Sequence, residues 1–133
     1  MNSGSKETIE GEQVALLEAL RAGDRAALSQ LLAENVVFDS PVGTYHGRED
    51  VLRLLMAIAR VLDDVRATRQ LHAAGETCSF VTARLEEKEA EGVLDEVRDE
   101  QGGIIQLTLM VRPLEVLLVA IERMGQELAA GDD

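Results

Sequence analysis

Aromatic residues are nearly missing from this chain: two phenylalanines, one tyrosine and no tryptophan among 133 residues. Flat ring walls that grip fused ring systems or sugars are therefore lacking. Cysteine occurs once, as Cys78, which excludes an internal disulfide. The two histidines, His46 and His72, lie far apart and give no metal-ligand spacing, so neither a metal nor another cofactor is expected. Basic residues are also scarce: 13 Lys and Arg face 25 Asp and Glu. The resulting net charge of -12 repels phosphate backbones and anionic lipid, which argues against nucleic-acid and membrane partners. No apolar run is long enough to span a bilayer, and the opening "MNSGSKETIEGEQ" is polar where a secretion signal needs an apolar core. These absences point to a reduced, cytoplasmic protein.

What is present is a real core: 46% of the residues are hydrophobic, enough for one domain, expected over residues 8–130. In the first half the apolar period is helical. Ile9, Leu16, Leu17 and Leu20 stripe one helix that ends at "AGD". Asp24 is placed to cap a second, "RAALSQLLAEN", which stops near Asn35. "VVFDS" reads as a short strand, "PVGTYHG" as a loop, and "REDVLRLLMAIARVLDD" as a third helix facing inward through Val51, Leu54, Leu55, Ile58 and Leu62. After residue 64 the period changes to two. "VRATRQLHA", "TCSFVTARLEE", "EGVLDEVRD" and "GIIQLTLMVR" are strands joined by short connections, hence antiparallel neighbours. Ile105, Leu107, Leu109 and Val111 form the core side of the last strand, and Gln106, Thr108 and Met110 its outer side. Pro113 opens a closing helix, "LEVLLVAIERMGQELAA".

The segments "ALRAGDRAALSQLLAENVVFDSPVGTYHGREDV" and "GVLDEVRDEQGGIIQLTLMVRP" resemble the SnoaL-like, nuclear transport factor 2-like superfamily, which includes ketosteroid isomerases, limonene epoxide hydrolases and polyketide cyclases. The resemblance rests on a Gly-Asp between two helices, a Phe-x-x-Pro strand end, a Gly before the third helix and an "RP" after the last strand. It implies an α+β cone: a curved antiparallel or mixed sheet wrapped around the N-terminal helices, with a C-terminal helix and an apolar pocket inside. It also implies a homodimer through the outer sheet face, here around Gln106, Thr108 and Met110. Fold alone does not assign chemistry. The position of the isomerases' general-base aspartate holds Ser40, their tyrosine position holds Leu16, and their protonated pocket aspartate aligns with Asp95 after one gap. The epoxide-hydrolase positions fall on Leu109, Thr82 and Arg84, which is not a hydrolase set.

Asp95 is the leading candidate on its own residues too. In "GVLDEV" it shares a strand face with Val93 and Val97, and a carboxyl in an apolar pocket stays neutral and donates a hydrogen bond. Register decides its state: opposite Arg84 it would be charged, opposite Thr82 neutral. The expected pocket lining is Leu16, Leu20, Leu55, Ile58, Cys78, Phe80, Thr82, Val93, Leu107 and Leu109, with Ser40 as a hydrogen-bonding group near the mouth. Asp39 then points outward, and Tyr45 and His46 order the loop. Three functions follow: a binder of a small apolar metabolite anchored by Asp95, an acid/base enzyme using Asp95, or an interaction module with no ligand. The first is favoured, because proton-transfer chemistry normally needs two cooperating groups.

Overall fold

The computed structural model describes residues 15–131, so the expected helical position Ile9 and the domain start at residue 8 lie outside the described residues. Helix α1 (Ala15–Ala22) buries Leu16, Leu17 and Leu20. It stops at Gly23, whose φ of 63° suits a residue without a Cβ. Asp24 then accepts the Ala27 amide through Oδ1 at 3.1 Å and starts α2 (Arg25–Leu31).

Here the chain departs from the sequence pattern. The helix ends at Leu31, and strand β1 (Leu32–Ser40) begins at once, taking the residues "LAEN" from the expected helix. Pairing with the last strand explains the change, since Leu32 faces Ile104 and Phe38 faces Leu107, burying Leu32, Val36 and Phe38. Tertiary pairing outweighs the helix preference of a short polar stretch. The expected loop also contains a strand, β2 (Gly43–His46), a hairpin partner of β1. Helix α3 (Arg48–Val61) follows, with Glu49 and Asp50 in its first turn and Val51, Leu54, Leu55 and Ile58 turned inward.

Strands β3 (Asp63–Ala73), β4 (Glu76–Leu85), β5 (Lys88–Arg98) and β6 (Ile104–Arg112) form antiparallel neighbours. The sheet order is β2-β1-β6-β5-β4-β3, with β1 and β6 parallel, giving an α+β architecture on a mixed, curved, open sheet. β5 and β6 approach closely at Gly92, where an added Cβ would lie 2.5 Å from the Met110 carbonyl oxygen. A register irregularity also splits the apolar runs of β6: Ile104 is the buried residue at its start, and Ile105 is only half-buried. Helix α4 (Leu114–Gly131) packs on α3 and on β5 and β6, its amides at Val116 and Leu117 donating to the Pro113 carbonyl.

Candidate functional site

Inside the sheet, α3 offers Ile58 and Leu62 caps its end, while β5 and β6 offer Ala90, Leu109 and Val111. These five line two adjoining, partly enclosed cavities of about 50 Å3 each. The deeper lobe is completed by Leu17, Leu20, Phe38, Leu55, Val65, Val81, Ala83 and Leu94. The outer lobe is completed by Pro41 and Val42 in the β1–β2 turn and by Leu117, Ala120, Ile121 and Met124 of α4. Both are lined almost wholly by carbon.

Leu20, Leu55, Ile58 and Leu109 therefore sit where expected, at the cavity. Leu16 and Leu107 are fully buried but pack in the core beside the lobes, without lining either. Ser40 reaches the outer lobe, yet its hydroxyl is committed to the turn: Oγ donates to the Gly43 carbonyl at 2.8 Å and accepts the Val42 amide at 3.2 Å. Asp39 points to the other face, where it accepts from Thr44 at 2.7 Å and from Gln106 at 2.9 Å.

The remaining candidates are not inside. Ala83 pairs with Ala90 and Leu85 with Lys88, so the β4–β5 hairpin turns at Glu86 and Glu87. That register sets Asp95 opposite Cys78 on one side and Thr108 on the other. Because alternate side chains leave opposite faces of a strand, Leu94 and Glu96 point into the cone and Val93, Asp95 and Val97 point out. Asp95 as the pocket acid is thus corrected by the pleat, and Cys78, Phe80, Thr82 and Val93 go outward with it. Neither Thr82 nor Arg84 faces Asp95: their cross-strand partners are Glu91 and Glu89. Arg84 is exposed on the same outer side.

The outer face has its own electrostatics. Desolvation, then a hydrogen bond with Glu76 and the negative charges of Glu76 and Glu96, push the Asp95 carboxyl up to about 6. Burial, with Asp95 and Glu76, raises the Cys78 thiol, against the pull of Arg69, so Cys78 is a poor nucleophile. Arg69 stacks 4.1 Å from the Phe80 ring centre. A groove of about 390 Å3 runs along this face, with Thr68, Phe80, Thr82, Val93, Met110 and Arg112 in its walls.

One acid does lie inside. Glu96 is fully buried, with Oε1 accepting from Arg98 at 2.7 Å and Oε2 without a hydrogen-bond partner among the described residues. Burial raises its pKa, opposed by the hydrogen bond and charge of Arg98 and the charge of His72. Its strand partner Thr77 bonds His72 Nδ1 at 2.8 Å, and Gln70 donates to Ser79 at 2.9 Å, making a polar belt at the end of the sheet away from α4. None of these side chains lines either apolar lobe. The sequence carried a signal for Glu96, since it shares a strand face with Ala90, Gly92 and Leu94, but the neighbouring face held two valines.

A curved mixed sheet wrapped over helices, with a carbon-lined hollow between α3 and α4, defines the cystatin-like, nuclear transport factor 2-like class of pocket proteins. A family model described as the SnoaL-like domain matches residues 14–101, and the chain belongs to that family. No curated protein matches it in sequence. Among solved structures it is similar to a steroid delta-isomerase from Pseudomonas aeruginosa, at 30% identity over 89% of this chain and 91% of that one, with a TM-score of 0.80. It is also similar to an uncharacterized protein with a cystatin-like fold from Silicibacter pomeroyi, at 23% identity over 90% and 86% of the two chains, TM-score 0.82. A de novo designed protein with a curved beta-sheet shares the fold at 17% identity, over 88% and 99%, TM-score 0.71.

Proposed function

We propose that this SnoaL-like protein binds a small apolar molecule in the two-lobed hollow between α3, α4, β5 and β6. The observation that carries this is the lining itself: five shared aliphatic residues, Ile58, Leu62, Ala90, Leu109 and Val111, border space that the core leaves open. Interiors are normally packed without voids, so a carbon-lined hollow open toward one helix is a binding feature more than a packing lapse. Acid/base chemistry on such a ligand has little support: Leu16 cannot donate, the Ser40 hydroxyl is held by the turn, and Asp95 lies on the other side of the sheet.

The test is methyl NMR of the chain under xenon, a single apolar atom small enough for either lobe. Shifts confined to Ile58, Leu62, Leu109 and Val111 in the native chain, lost in Ala90→Leu, are expected. Shifts that persist unchanged in a folded Ala90→Leu protein would remove the cavity from the account.

The outer sheet face is proposed as a homodimer surface. It carries the groove described above, and Met110 beside it is 64% exposed. A cytoplasmic location is likewise proposed, on the lone cysteine and the high acidic charge. No helix among the described residues is long and apolar enough to cross a membrane.

A further inference from the structure

Resting on the cavity reading above, we propose that the ligand is a linear alkyl chain whose polar head stays outside, at the rim between the β1–β2 turn and α4. The two lobes lie in series. One reaches inward to Leu17, Phe38 and Leu94, and the other outward to Val42, Leu117 and Ile121. Each offers about 50 Å3, well short of the roughly 150 Å3 that accepts a single benzene ring. A narrow slot of this kind accepts methylenes one after another and excludes a four-ring skeleton.

The head group finds nothing inside to bond. Among the described residues only two polar ones border the lobes: Ser40, whose hydroxyl is used by the turn, and Glu91, whose carboxylate is ion-paired with Arg112 at 2.6 Å on the outer face. A buried polar head without a partner is costly, so it remains in water. The net charge of -12 disfavours a carboxylate there, leaving an uncharged or cationic head. Beyond the rim the apolar surface continues. Val42, Leu114 and Leu118 are 52%, 67% and 56% exposed, and Ile121, which lines the outer lobe, is 36% exposed. On α4 the spacing 114, 118, 121 forms one stripe, the track on which a chain longer than the slot lays its remaining methylenes.

The experiment is calorimetric titration of the full chain with straight-chain 1-alkanols from hexanol to decanol, with testosterone as a four-ring control. Affinity should rise about fourfold per added methylene, testosterone should not bind, and Leu118→Lys should weaken decanol more than hexanol. Affinity flat in chain length, testosterone binding tighter than decanol, or an equal loss for both alkanols in Leu118→Lys overturns the linear-chain assignment. Xenon still shifting the cavity methyls in that event leaves the cavity reading standing. Failure of every ligand overturns both.

Discussion

Asp95 and Glu96 are neighbours in sequence and opposites in environment. Asp95 shares a hydrogen bond with Glu76 on the outer face, while Glu96 is sealed inside against Arg98. For Asp95 the consequence is a pH dependence of known sign. The carboxyl ionises at about 6 in the folded chain and at its ordinary 3.8 when unfolded. Between those values the native state holds a proton that the unfolded state has released, so this contribution to stability is full below 3.8 and is lost as pH rises through about 6. Asp95→Asn lacks that loss. Urea unfolding at intervals from pH 4 to 7.5 should show the variant gaining on the native chain as pH climbs, and a constant offset would count against the shared-proton pair. Glu96 contributes differently. A buried ion pair brings little net stability, because desolvation of both charges offsets their attraction, and the unpartnered Oε2 adds a further cost.

At the scale of elements, the close approach of β5 to β6 depends on Gly92. A methyl group there meets the Met110 carbonyl oxygen, which belongs to backbone and cannot swing away. Gly92→Ala should therefore destabilise the fold by about 1–3 kcal/mol, the usual cost of overpacking, read as a lower denaturation midpoint. An unchanged midpoint would mean the strand relaxes without strain. How far the elements were legible in the sequence follows from the same physics. The inward stripes of α1 and α3 were plain, because Leu16, Leu17, Leu54, Leu55 and Ile58 recur at helical spacing. So was the inner side of β6 from Leu107 to Val111. Strand β5 was not, because both of its faces mix apolar and acidic residues. Leu94 with Glu96 and Val93 with Val97 give no preference, and only the two-residue hairpin at Glu86 and Glu87 breaks the tie. A slip of one residue in β5 carries Val93 and Asp95 to the opposite face. The early end of α2 and the presence of β2 were hidden for another reason: both depend on partners distant in sequence or on a hairpin too short to carry a pattern.

For the whole molecule, the sheet separates two jobs. Its concave side and α3 and α4 enclose the hollow, and its convex side presents Phe80, Val93 and Met110 with the Glu91–Arg112 pair. The proposed pairing of two copies through that convex side predicts dimer mass in sedimentation equilibrium. Met110→Asp should shift the mass toward the monomer by placing a charge in the apolar centre of the contact. A native chain that sediments as a monomer across micromolar concentrations would retire the pairing. Ligand uptake on the concave side is expected to survive the substitution, because Met110 lines neither lobe.

Strand β6 joins two groups of strands that otherwise do not touch along the sheet, β2-β1 on one side and β5-β4-β3 on the other. The segment matched by the family model ends at residue 101, before that strand begins. A fragment cut at this boundary would lack the keystone and expose two raw backbone edges. On the ribosome the consequence is one of order: β1 is made well before the strand it pairs with, so the two groups of strands join only once β6 has emerged.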